Sequence, residues 1–142
     1  MSLRPLDEND LPELLSIENA VHIAPWPEEV FRRCLQAGYL GWVITHENQI
    51  VGFIFVTLQA GECHILNICV HPDFQHQGFG KTLLAYGLTE VKKRGAGIAF
   101  LEVRRSNKKA IALYDQFHFI KIGERRGFFQ QPKGFQQILG SA

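Results

Sequence analysis

The segment from Cys63 to Val103 constrains the fold more than any other part of the chain. Cys63–Val70 is rich in apolar and β-branched residues and stops at Pro72. Two glycines, Gly78 and Gly80, then open a stretch to Arg94 in which Leu83, Leu84, Leu88 and Val91 share one helical face. Lys92-Lys93-Arg94 and Gly95 suit the negative end of that helix. Ile98–Val103 follows as a nearly all-apolar run, the pattern of a strand buried on both faces. Strand, glycine turn, helix and strand make a crossover, the connection that a parallel pair requires.

The flanking patterns complete a mixed sheet. Trp42–Thr45, Ile50–Leu58 and Cys63–Val70, parted by Glu47-Asn48-Gln49 and Ala60-Gly61, read as a meander of antiparallel strands. Ahead of them, Ser2–Leu6 is a short edge strand. Asn9-Asp10 is placed to cap a helix bearing Leu11, Leu14, Leu15 and Ile17, with Pro12 in its first turn. Pro25-Trp26-Pro27 breaks the chain, and Glu28–Gln36 is a second helix ended by Gly38. Beyond the crossover come a helix at Asn107–Gln116 and strands at Phe119–Ile122 and Phe135–Leu139. The predicted order is β-α-α-β-β-β-α-β-α-β-β, an α/β (α+β) pattern. Ligands of such sheets sit at the C-terminal ends of strands, which directs attention to Val70 and Glu102.

The 142 residues suit a single domain, 1–142. No apolar run nears the roughly 20 residues of a membrane helix, and Met1-Ser2-Leu3-Arg4-Pro5 lacks the apolar stretch of a signal peptide, so a cytoplasmic protein without membrane attachment is expected. Cys63 and Cys69 lie on one strand about 20 Å apart, too far to pair, which fits a reducing compartment. No His/Cys spacing resembles a zinc or haem site, and no metal is expected. The net charge of +1 gives no general attraction to nucleic acid. Its distribution is uneven: seven acids and one arginine give −6 over residues 1–29, leaving +7 for the rest. A cationic substrate suits the first part and a polyanion the second; solvated helix faces without a partner are the alternative.

The glycine turn limits which phosphates it can hold. Gly80-Lys81-Thr82 ends like a Walker A loop, but Gln75 stands where that loop needs its first glycine. The dinucleotide fingerprint fails at Leu83. A Gly-x-Gly entering a helix still turns backbone N–H groups toward an anion, and Gln75 can add a polar contact at the mouth. A purely structural turn is the alternative. Glu102 is the only acid between Val91 and Tyr114. It is a candidate base or the partner of Arg104, and Tyr114 is a candidate acid or simple core.

Gln75-His76-Gln77-Gly78-Phe79-Gly80, after "LNICVHPDF" and before "LEVRRSNKKAIALYDQFHF", resembles the GCN5-related N-acetyltransferases (GNAT), and within them the RimI-like N-terminal alanine acetyltransferases. "VHIAPWPEEVF" is similar to that subfamily's His-x-x-Pro-Trp segment, and the resemblance spans nearly the whole chain, weakening after Phe119. It implies a mixed, mostly antiparallel central sheet with helices on both faces. It also implies that His76, Gln77, Gly78, Phe79, Gly80 and Lys81 hold the pyrophosphate of acetyl-CoA, with Gln75 beside them. Ile68, Cys69 and Val70 would offer backbone groups to the pantetheine arm and thioester, and Asn107 a further coenzyme contact. Glu102 matches the family's general base and Tyr114 its general acid.

These roles suit direct transfer. The attacking amine must be neutral, so Glu102 takes a proton, directly or through water, if burial raises its pKa. Tyr114, with an ordinary pKa of about 10, protonates the departing thiolate. Cys69 is more simply read as small core. An α-amine, pKa about 8, is deprotonated far more easily than lysine at about 10.4, which favours protein N-termini. The resemblance implies the N-terminal alanine of a small-subunit ribosomal protein as acceptor. Three departures bear on that: Gly127-Phe128-Phe129-Gln130 replaces Asn-Tyr-Tyr-Pro, Phe135-Gln136-Gln137 lacks a Glu-Asp pair, and His118 replaces a glycine. A different peptide, a lysine, a small amine, or a coenzyme-binding module without turnover are the competing readings.

Overall fold

The structure, a computed structural model, describes residues 1–124 and 132–138. Its elements are β1 (Ser2–Pro5), α1 (Leu11–Val21), α2 (Glu28–Gln36), β2 (Leu40–His46), β3 (Gln49–Gln59), β4 (Glu62–Val70), α3 (Phe79–Lys93), β5 (Ile98–Arg104), α4 (Lys108–Gln116), β6 (Ile120–Glu124) and β7 (Pro132–Ile138). This is the predicted order. Leu139, placed on the last strand by the sequence pattern, lies outside the described residues. The chain falls into two compact units: Met1–Val56 with Asn67–Thr89, and Thr57–Leu66 with the described residues from Glu90 onward.

In the first unit the strands run in the order β1-β2-β3-β4, with β1 and β3 both antiparallel to β2. Alternation along the strands divides their side chains between two faces. Val43, Phe53 and Phe55 turn to α1 and α2, which contribute Leu11, Leu14, Ile17, Phe31 and Cys34 to the same buried cluster. The Phe31 ring lies 5.8 Å from those of Phe53 and Phe55, and 5.3 Å from that of Trp26. Each fully buried phenylalanine contributes roughly 1.5–3 kcal/mol relative to exposure. The opposite face receives α3: Trp42 meets Tyr86 edge-on at 6.1 Å, and a Cβ on Gly87 would come 3.1 Å from Ile54 Cδ1. Helices therefore cover both faces of these strands.

Gly52 sets how closely β3 and β4 approach. A Cβ there would stand 2.8 Å from the carbonyl oxygen of Cys69, a backbone atom that cannot swing aside. Gly52→Ala is expected to destabilise the protein by about 1–3 kcal/mol, the scale of overpacking a filled site. Equilibrium urea unfolding measures this, and an unchanged midpoint would refute the close approach.

The start of α1 differs from the sequence expectation. Asp10 stands at the N-cap position but its side chain caps nothing in α1. Asp7 instead caps a short 3-10 turn, Glu8–Asp10, that leads into the helix, its Oδ1 accepting the Asn9 N–H at 2.7 Å while Asp10 Oδ2 accepts the Asp7 N–H at 2.9 Å. Asp10 is unavailable to α1 because Arg4 holds both its oxygens, each at 2.9 Å. The Arg4 hydrogen bonds, aided by the Asp7 N–H, keep the Asp10 carboxyl below the usual carboxylate range. A lowered folded-state pKa gives stability that is complete above the unfolded value and disappears as pH falls through the folded value. Asp10→Asn should therefore cost about 1–2 kcal/mol at neutral pH, the half-exposed Arg4 being partly screened by solvent. The deficit relative to wild type should shrink below about pH 4. Denaturation across pH tests both the size and the sign.

In the second unit the order is β4-β5-β7-β6. β4 and β5 are parallel, from Glu62 opposite Ile98 to Ile65 opposite Leu101, as the crossover requires. β7 is antiparallel to both β5 and β6. The expectation that β5 is buried on both faces needs correction. Ala99, Leu101 and Val103 are buried, whereas Ile98 and Phe100 are half-buried and Glu102 is exposed. Phe100 is shielded by stacking on His64, ring centroids 5.1 Å apart, so this face is a thin aromatic cover rather than a second core.

Candidate active site

The glycine loop belongs to the first unit, where β4 ends. His71 N–H donates to the Val51 carbonyl at 2.8 Å, and His71 Nδ1 accepts the Asp73 N–H at 3.0 Å, forming a tight turn at Pro72–Phe74. Gln75 Nε2 then donates to the Val70 carbonyl at 3.1 Å, drawing the loop back over the strand end. The sequence placed Gln75 at the mouth as a ligand contact; here its amide nitrogen fastens the loop. This bond also engages one of the backbone groups expected to serve the pantetheine.

His76 (φ 63°) and Gly78 (φ 85°) both take left-handed backbone, and α3 begins at Phe79, with Thr82 N–H donating to the Gly78 carbonyl at 3.0 Å. The Phe79 side chain is buried against the rings of Phe74 and His46, at 6.2 and 5.5 Å. It anchors the helix start, so its contribution to an anion is through the backbone. The first N–H groups of a helix have no intrahelical acceptor, and the dipole places positive potential there. His76, Gln77, Gly78 and Lys81 are exposed, and nothing lies within 4 Å of a Cβ built on Gly78. An open, donor-rich turn of this kind fits a pyrophosphate.

Cys69 follows the expectation of small core. It is buried, and desolvation, with the Glu18 carboxylate adding to it, drives its thiol well above the ordinary value. Burial pushes the Cys63 thiol up to about 11. All three cysteines are free, Cys63 and Cys69 included.

The second unit carries the proposed acid and base. Glu102 stands between buried Leu101 and Val103 and faces Gly134, a partner without a side chain, across the β5/β7 ladder. Its exposure corrects the expectation that the fold buries it. Tyr114, in the last turn of α4, is only 5% exposed and packs on Phe119 with ring centroids 5.6 Å apart. Asn107 caps α4, its Oδ1 accepting the Ala110 N–H at 3.2 Å. The cap gives it a structural purpose beside the expected coenzyme contact.

A buried polar cluster in the first unit was not read from the sequence. Glu18, 1% exposed, accepts the Trp26 N–H on Oε2 at 2.9 Å and Asn67 Nδ2 on Oε1 at 2.8 Å. His22 Nε2 lies 3.2 Å from Asn67 Oδ1, 3.5 Å from Cys69 Sγ and 3.6 Å from Glu18 Oε1. The available signal was a carboxylate among the core positions of α1 and a histidine four residues later, just past the helix end. The acidic first 29 residues are also less available to a cationic ligand than their count implied. Asp10 pairs with Arg4, Glu8 and Glu28 with Arg32, and Glu29 with Arg33, while Glu18 is buried. Among the described residues no helix is long and apolar enough to cross a membrane.

Comparison with known proteins bears on this arrangement. The acetyltransferase (GNAT) family model matches residues 11–119. A ribosomal protein bS18-alanine N-acetyltransferase of Escherichia coli K12 is 35% identical over 138 residues, 97% of this chain and 93% of its own. A Haemophilus influenzae protein of the same description is 32% identical over 125 residues, 88% of this chain and 85% of its own. The crystal structure of an Escherichia coli ribosomal-protein-alanine N-acetyltransferase superimposes with a TM-score of 0.93 at 31% identity, covering 99% of this chain and 95% of that one.

Proposed function

Since the chain belongs to the GNAT acetyltransferase family and is an N-acetyltransferase that uses acetyl-CoA, we propose that its acceptor is the N-terminal α-amine of a protein, an N-terminal alanine of a small-subunit ribosomal protein in the first instance. The observation that carries this reading is the 35% identity, over nearly the full length of both chains, to an enzyme described as acetylating such an alanine. The reaction is direct transfer within a ternary complex. It calls on no metal ion, nucleic acid or membrane, and its place is the cytoplasm.

Acetyl-CoA supplies a thioester carbonyl and a thiolate leaving group, and the open turn at Gly78, at the start of a helix, suits the pyrophosphate. In this reading His76–Lys81 hold that anion, Ile68, Cys69 and Val70 line the arm, and Asn107 adds a contact. Glu102 takes the amine proton, directly or through water, at a position solvent can reach. An α-amine with a pKa of about 8 asks little of an exposed carboxylate, whereas a lysine at about 10.4 asks more. Tyr114 gives its proton to the thiolate, and a backbone N–H near Val70 stabilises negative charge on the carbonyl oxygen. The buried Cys69 thiol takes no part.

The departures from the subfamily concern the acceptor. Gly127-Phe128-Phe129-Gln130 lies outside the described residues; Gln136 and Gln137 lie on β7, opposite Phe100 and Ala99. The test is transfer from labelled acetyl-CoA to a peptide beginning Ala-Arg, beside the same peptide N-blocked and carrying a free lysine. Label confined to the free N-terminus supports the proposal. Label on the blocked peptide reassigns the enzyme to lysine, and label on neither directs the assignment to a small amine.

A further inference from the structure

We propose that Glu18, His22 and Cys69 bind a thiophilic divalent cation of the zinc type, with Asn67 beside them, through side chains that take no part in acetyl transfer, Cys69 having only a backbone role there. Their ligand atoms all lie within 4.8 Å of one another, in the first unit. Tetrahedral zinc, with bonds of about 2.0–2.2 Å to nitrogen and oxygen and about 2.3 Å to sulfur, spaces its ligands roughly 3.3–3.6 Å apart. The two edges from His22 Nε2, 3.5 Å to Cys69 Sγ and 3.6 Å to Glu18 Oε1, already have this length. The carboxylate–thiol edge, at most 4.8 Å, needs no more than about 1.2 Å of closure to reach the roughly 3.6 Å of a sulfur-containing edge.

The geometry speaks against a proton relay. A relay of the Cys-His-acid kind uses both ring nitrogens, the thiol on one and the acid on the other. Here thiol sulfur, carboxylate oxygen and Asn67 amide oxygen all face the same Nε2. With Nε2 protonated its one proton serves one of them well, and with Nε2 bare only the Cys69 S–H can donate to it while two oxygens face an unprotonated nitrogen. A cation shared by Glu18, His22 and Cys69 removes the conflict among those three.

The surroundings are those of a held ligand set. Trp26 N–H and Asn67 Nδ2 fix the orientation of the Glu18 carboxylate while leaving each oxygen further lone-pair capacity. His22, 29% exposed at its side chain, offers a way in, whereas Glu18 and Cys69 are buried. Thiolate and imidazole select zinc over magnesium or calcium. Binding exchanges one proton, released from the Cys69 thiol to solvent, for the cation, with no change of oxidation state. The bound ion would clamp the end of α1 to β4. The expectation of no metal rested on linear spacing, which cannot register residues 18, 22 and 69 as neighbours.

Cobalt(II) is the probe. Full-length protein, chelator-treated and then titrated with Co²⁺, should show intense tetrahedral absorption and a thiolate-to-cobalt charge-transfer band saturating at a single equivalent. Zn²⁺ should displace the cobalt and raise Tm. Cys69→Ser should abolish the charge-transfer band and Cys63→Ser should retain it, each variant first shown to fold by circular dichroism. His22→Gln, at a half-exposed position, provides a second variant with lowered affinity. Asn67→Ala should weaken binding on the order of 10- to 100-fold, as for lost supporting contacts. Absence of the band in wild type, its persistence in Cys69→Ser, or unaltered affinity in His22→Gln would overturn the proposal.

Discussion

Glu102→Gln and Tyr114→Phe are each expected to lower kcat for acetyl transfer by on the order of 10²-fold while leaving acetyl-CoA affinity unchanged, the scale of a lost acid or base. Both replacements are nearly isosteric. Phenylalanine keeps the ring that packs on Phe119, so Tyr114→Phe removes a proton donor rather than a piece of core. Glutamine keeps the shape of a side chain that already faces solvent. The two variants should differ in pH dependence. Without Glu102 the amine must shed its own proton, so activity should recover as pH rises past the α-amine pKa of about 8. Without Tyr114 the defect lies in leaving-group departure, which that rise does not repair. Single-turnover rates and coenzyme titrations separate these effects, and wild-type kcat in both variants would remove the assigned roles.

Gly78→Val should have the largest effect on coenzyme binding. The residue sits at φ 85°, where a side chain costs roughly 1–2 kcal/mol and a β-branched one is worst placed. The space around its missing Cβ is open, with no neighbouring atom within 4 Å, so the fold should survive the replacement. What valine obstructs is the approach of an anion to the N–H groups of the turn. Strain and lost access together predict a fall in acetyl-CoA affinity of more than about 10-fold, each tenfold being about 1.4 kcal/mol. Calorimetric titration decides it, and undiminished affinity would withdraw the phosphate assignment from this loop.

The order of elements could be read from the chain because it depends on local regularities: the helical spacing of Leu83, Leu84 and Leu88, the β-branched strands, and punctuation by Pro72, Gly78 and Gly95. The glycine loop was legible for the same reason, since two glycines at a helix start are a short-range signal. Asp7 and Asp10 show where local reading ends. Both are good caps by type, but Asp7 caps the turn ahead of α1, and Asp10, at the N-cap position of the helix itself, has its carboxylate held by Arg4, a residue of the neighbouring strand. Glu102 makes the same point: its apolar neighbours implied burial, but exposure depends on which strand lies alongside, and that strand presents Gly134.

Composition, periodicity and turn chemistry thus determined by themselves the elements, their succession, the parallel crossover and the glycine turn, because each rests on interactions among residues a few positions apart. Tertiary structure alone decided which polar side chains are buried and what they meet. Glu18 and His22 are close in sequence, but Asn67 and Cys69 are some 45 or more positions further on, and only the packing of α1 against β4 brings the four together. Burying a carboxylate is unfavourable unless partners satisfy it, so such a cluster exists only where long-range packing supplies all of them at once.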